Sequence, residues 1–197
     1  MKIEPLGLPG AALVRLERLQ DERGFFARSA CVRELSGQNL RGEFVQSSIS
    51  WNPRRGTVRG LHLQWPPSRE AKLVRCVRGA IHDVLLDLRP GLPTYMSHLS
   101  VALDQDNRDA VYVPPGVAHG FQTVADQTEV LYQMTDFYAP ELATGVRWND
   151  PAFGIRWPIA QASVIAARDA DYPDFSRTAY EAELSRRAAA PGGGWWT

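Results

Sequence analysis

The sequence predicts an all-β protein, a sandwich or barrel of short strands with a few short helices, mainly C-terminal. Two observations lead there. Runs rich in aromatic and β-branched residues recur from about residue 11 to residue 148, each closed by Gly, Pro, Asn or Asp. Many short strands at roughly even spacing are the signature of a closed or double-sheet β architecture. Helical patterning, by contrast, is confined to two places.

Taken in order, Phe25–Val32, Glu43–Trp51, Thr57–Leu63 and Tyr95–Leu103 read as strands. Between them, Ala71–Leu88 (AKLVRCV-RG-AIHDVLLDL) predicts a hairpin turning at Arg78-Gly79, with apolar residues on both arms. Glu129–Tyr138 predicts a further strand after the Pro114–Phe121 segment. Val32–Gln38 has room for two helical turns. Ser176–Ala189 is the stronger helix, with Ser176 placed to cap its N-terminus and Pro-Gly-Gly-Gly beyond its end.

This pattern predicts one domain over residues 1–175, then a C-terminal helix and loose tail over 176–197, whose Trp pair has the character of a partner contact. Twenty-two Lys and Arg balance 22 Asp and Glu, which argues against a general nucleic-acid binder. No apolar run is long enough to span a bilayer, and no signal peptide is expected at the N-terminus. Cys31 and Cys76 are too far apart for a CxxC site and fit two free thiols in a cytoplasmic protein.

Chemistry concentrates in Arg59–Gln64 (RGLHLQ) and Pro114–Phe121 (PPGVAHGF). The second is similar to the PxGxxH motif of metal-binding cupins, a family of double-stranded β-helix (jelly-roll) barrels. The first departs from that family's HxH pattern, because His62-Leu63-Gln64 stands in its place. A catalytic metal needs about three protein ligands. Only His62 and His119 remain, with Glu70 at most as a third, and Gln64 is a poor ligand for a transition metal, so the reading is a cupin barrel with neither metal nor cofactor. Without metal, a pocket histidine is suited to general-base chemistry. His82 and His98 read as structural.

The match is more specific than the barrel. DERGFF (Asp21–Phe26), FVQSS (Phe44–Ser48), RGLHLQ, Ala71–Arg89, VPPGVAHGF, Glu129–Pro140, Arg147–Pro158 and Ala167–Pro173 occur in this order. Together they resemble the dTDP-4-dehydrorhamnose 3,5-epimerase family over nearly the whole chain to about Phe175. The resemblance implies a nucleoside-diphosphate 4-keto-6-deoxyhexose substrate, epimerised at C3 and/or C5 through an enolate. It makes His62 the base, Asp169 its orienting carboxylate, Tyr132 the acid on the far face of the sugar, and Lys72 the cation beside the enolate oxygen, held by Asp83. It gives the diphosphate to Arg23 and Arg59 with His119 close by, the nucleotide pocket to Phe26 and Gln46, and base stacking to Tyr138. It also implies a homodimer with an exchanged N-terminal strand, in which Arg23 and Phe26 serve the partner's pocket. Strand alternation sets Arg59 on the face opposite His62, so a shared pocket requires a bulge or bend at Gly60.

Two positions depart from the family pattern. Arg28 stands where FFxE has a carboxylate, and Ser48 where QxN has Asn. Both belong to the nucleotide side, which leaves the carrier open. A nucleotide-sugar 3,4-ketoisomerase, a non-catalytic sugar-binding cupin and a metal-dependent oxygenase are the competing readings.

Overall fold

The structure, a computed structural model, describes residues 1–189. The Pro191–Thr197 segment with its Trp pair lies outside the described residues. The strands are β1 (Lys2–Pro5), β2 (Ala12–Arg15), β3 (Leu19–Asp21), β4 (Gly24–Phe26), β5 (Gln46–Asn52), β6 (Val58–Gln64), β7 (Lys72–Arg78), β8 (Ala80–Asp87), β9 (His98–Asp104), β10 (Ala110–Val113), β11 (Val117–Thr123), β12 (Thr128–Met134) and β13 (Ala143–Gly145). Helices are α1 (Val32–Ser36), α2 (Ala167–Ala170) and α3 (Arg177–Ala188). None of them is long and apolar enough to cross a membrane.

Two antiparallel sheets form the body. One has six strands in the order β1-β2-β10-β7-β12-β5, the other five in the order β13-β6-β11-β8-β9. This is the all-β architecture that the strand pattern predicts, with the jelly-roll form that the cupin resemblance implies. Alternation along each strand sends Leu13, Val74, Cys76, Val111, Val113 and Val130 of the first sheet toward Ile81, Leu85, Leu103, Val117 and Phe121 of the second. That layer closes one end of the interior. At the other end the inward positions turn polar, and there the cavity opens.

The outer faces are covered separately. α1 and the chain around it place Leu35 and Leu40 on Ala12, Val14, Leu73, Ala110 and Tyr112 of the six-stranded sheet. α3 lays Tyr180 and Leu184 on Leu61, Leu63, Val84, Leu86 and Leu88 of the five-stranded sheet, and the Tyr180 hydroxyl donates to the Leu88 carbonyl at 3.0 Å. Ser176 caps α3 by accepting from the Ala179 N–H.

Three local expectations are corrected. Ala71–Leu88 is not a paired hairpin: β7 and β8 follow one another through a turn at Gly79, yet lie in opposite sheets. The strand expected over Phe25–Val32 stops at Phe26. The chain then crosses the outer face, where buried Arg75 donates to the Ser29 carbonyl at 3.0 Å, and enters α1 at Val32. The strand expected to reach Tyr138 ends at Met134, and just beyond it the Asp136 carboxylate accepts from Arg69 N, Ser68 Oγ and Arg41.

Candidate active site

A cavity of about 660 Å³ lies between the polar ends of the sheets. Its floor on the six-stranded side follows from register. Tyr132 lies beside Val74 and Ser48, and Met134 beside Lys72 and Gln46, so Tyr132, Met134, Lys72, Gln46 and Ser48 share the inner face. The opposite wall comes from β6 and β11, where His62 and His119 are ladder partners.

The bulge required at Gly60 is present. His62 faces His119 while Arg59 faces Phe121, so three steps along β6 match two along β11. That extra residue reverses the alternation and brings Arg59 into the same cavity as His62. Arg59 Nε donates to Asn52 Oδ1 at 2.7 Å, and Asn52 is fully buried, which fixes the guanidinium.

The His62 side chain is 41% exposed, with Nε2 2.7 Å from Asp169 Oδ1. The other carboxylate oxygen accepts the Gly60 N–H at 3.1 Å. α2 thus clamps both the imidazole and the bulge that displays it. Burial alone would raise the Asp169 pKa. The His62 hydrogen bond and charge, the Gly60 N–H and nearby Arg168 outweigh that, and the carboxyl ends below its ordinary value.

His119 and Asp83 form a second pair, Nε2 to Oδ1 at 2.7 Å, with both side chains buried. The expectation that Asp83 holds Lys72 is therefore corrected. Asp83 and His119 sit on neighbouring strands of one sheet, whereas Lys72 belongs to the other. Lys72 Nζ instead donates to the His62 carbonyl at 3.3 Å and lies 3.2 Å from Glu70 Oε2. Tyr132 meets His119 edge to face, ring centroids 6.0 Å apart. Burial, and then the charge of Asp83, push the Tyr132 phenol well above its ordinary pKa, with Arg59 opposing. A phenol in that condition keeps its proton at neutral pH.

At the mouth, exposed Tyr138 is anchored through its N–H to Gln46 Oε1 at 3.1 Å. Gln64, at the position where metal cupins have a second histidine, holds the same loop: its amide donates to the Phe137 carbonyl and accepts from Ala139 N. Among the described residues, no group of three or more His, Cys, Asp or Glu is gathered as a metal site. Arg23 and Phe26 are not brought to this cavity within one chain. They sit on the β3–β4 hairpin, Arg23 paired with Asp21 and Phe26 74% exposed. Ser48 lines the cavity, whereas Arg28 pairs with Glu34 of α1 at 2.6 Å.

Arg168 and Glu70 line the cavity, yet neither was assigned a catalytic or substrate-binding role from sequence. Arg168, next to Asp169, donates to the Tyr172 hydroxyl at 3.3 Å and adds a guanidinium at the mouth near Tyr138. Glu70, considered from sequence only as a metal ligand, lies two residues before Lys72. That spacing was the available signal, since same-side neighbours along an extended chain are two apart.

Residues 5–177 match the sequence profile of the dTDP-4-dehydrorhamnose 3,5-epimerase family. The chain belongs to this family. It is an epimerase. A dTDP-4-dehydrorhamnose 3,5-epimerase of Sinorhizobium fredii is 38% identical over 88% of this chain and 89% of its own length. A dTDP-4-dehydrorhamnose 3-epimerase of Streptomyces niveus is 37% identical over 87% and 82%. The crystal structure of the Bacillus anthracis 3,5-epimerase, with TDP and PPi bound, superposes with a TM-score of 0.85 at 34% identity, covering 88% of this chain and 99% of that one.

Proposed function

We propose that this epimerase inverts C3, C5 or both of a dTDP-linked 4-keto-6-deoxyhexose by removing a proton beside the ketone and returning one to the opposite face. One observation supports this above the others: His62 and Tyr132 enter a single cavity from opposing sheets. Inversion at carbon needs groups on both faces of the sugar ring.

His62, oriented by Asp169, takes the proton from carbon. The C–H electron pair becomes the enolate double bond, and the carbonyl electrons move onto oxygen. Lys72, with the His119–Asp83 pair beside it, supplies the pre-placed positive field for that oxygen. Tyr132, kept protonated by burial and by Asp83, donates from the other side. The imidazolium and phenolate then exchange protons with water. Arg59, whose guanidinium matches phosphate oxygens, holds the diphosphate. Gln46, Ser48 and Tyr138 line the path to the base.

The exposed β3–β4 hairpin supports a homodimer in which Arg23 and Phe26 complete the partner's cavity. The free thiols of Cys31 and Cys76 fit a cytoplasmic enzyme. A C3-only reaction stands beside the double inversion, because 3-epimerase and 3,5-epimerase relatives match almost equally well.

The test is incubation with dTDP-4-keto-6-deoxyglucose in D2O, followed by NMR. Deuterium at C3, C5 or both, abolished in His62→Ala, is the expected result; the pattern names the inverted centres. No exchange with thymidine, uridine or cytidine carriers would overturn the proposal.

A further inference from the structure

Each basic group at the sugar end of the cavity has a carboxylate of its own. His62 has Asp169, His119 has Asp83, and Lys72 has Glu70. The third pair is unlike a surface salt bridge: the Glu70 side chain is 8% exposed and that of Lys72 14%. A buried carboxylate is costly unless a cation or hydrogen bonds compensate it, so this pairing is specific.

The segment bearing Glu70 is also tied down residue by residue. Arg69 N donates to Asp136 Oδ2 at 2.7 Å, Glu70 N to Ser68 Oγ at 3.2 Å, and Ala71 N to Thr135 Oγ1 at 2.8 Å. Ser68 Oγ in turn donates to Asp136 Oδ2 at 3.1 Å. Three successive backbone donors are thus fixed by side chains, and Glu70 stands on a rigid base. An ammonium has three N–H donors. The Lys72 ammonium donates one to the His62 carbonyl and pairs with Glu70 by charge, which leaves donor capacity for the cavity.

We propose that Glu70 is a positioning residue, holding the Lys72 ammonium aimed at the substrate carbonyl. The inference rests on the proton-transfer reading given above. Other ionisable groups facing Lys72 are His62 from β6, the His119–Asp83 pair from β11 and β8, and Tyr132 from β12. Only Glu70 approaches Nζ as a carboxylate ion pair among the described residues.

Glu70→Gln keeps the shape and removes the charge. The expected result is a kcat lowered on the order of 10- to 100-fold with KM little changed. In a Lys72→Met background the same change should cost nothing further. Glu70→Asp, which retains the charge, should recover part of the rate and covers the case in which the amide variant folds poorly. Wild-type kcat in Glu70→Gln would overturn the proposal, as would an equal loss in the Lys72→Met background. Wild-type exchange in D2O, measured alongside, reports on the epimerase reading independently of the variant-to-wild-type ratio.

Discussion

At Gly60 the backbone runs with φ +113°, and a Cβ built there would meet Gly120 Cα at 2.6 Å and the His119 carbonyl at 2.7 Å. Neither contact can relax, since both belong to the paired backbone of β11. Gly60→Ala is expected to destabilise the protein by about 3 kcal/mol or more in urea unfolding, and to raise KM in any folded fraction as Arg59 leaves the cavity. Two residues along, the His62–Asp169 pair allows a sharper test. Asp169→Asn keeps the size but removes the charge that orients the imidazole. Its kcat should fall by about 100-fold or more with KM nearly constant. The pH dependence has a definite sign. The Asp169 pKa is depressed in the folded chain, so its stabilisation is present above the unfolded value and lost as pH falls through the folded one. Below about pH 4 the wild type should lose stability more steeply than Asp169→Asn, read as the shift in thermal midpoint between pH 6 and pH 3.

Among the elements, α3 shows how stability and catalysis are kept apart. Its Tyr180 stacks on Trp65 with centroids 4.8 Å apart and on Phe175 at 5.3 Å, and Leu184 is buried beside them, all on the face of the five-stranded sheet turned away from the cavity. Leu184→Ala should therefore cost about 2–4 kcal/mol in urea unfolding while leaving kcat per folded molecule unchanged. The sequence patterning identifies α3 and its cap because those signals are local: a Ser, a helical run, then Pro and Gly. The β7–β8 connection misleads for the converse reason. A Gly turn between two apolar strands has one appearance whether the arms pair or part into facing sheets, and long-range pairing with β12 and β11 decides it. The partner of Lys72 follows the same logic. Asp83 and Glu70 are both reachable in sequence, but assignment of β8 to the opposite sheet gives Asp83 to His119. The resemblance supplied the cavity residues that strand alternation alone could not, except where the Gly60 bulge made the alternation itself informative.

For the molecule as a whole, the unexplained surface is apolar. Leu19 is 70% exposed and Phe26 74% on the β3–β4 hairpin; Ile49 is 66% and Trp51 52% on β5, at the edge of the six-stranded sheet. A free edge beside exposed large side chains is a surface that soluble chains normally cover. The proposed exchange of N-terminal arms covers it with a second copy and delivers Arg23 to a cavity that holds Arg59 but not Arg23. Two dead variants separate this from an arm that serves its own chain. Arg23→Ala spoils a pocket's diphosphate grip and His62→Ala spoils its base. If arms are exchanged, a heterodimer of the two has one pocket with both defects and one with neither. Co-expression in equal amounts then makes half of the dimers mixed, each with one intact site, and about a quarter of wild-type activity should return. If Arg23 acts within its own chain, every pocket in the mixture has one defect and activity stays at the level of the separate variants.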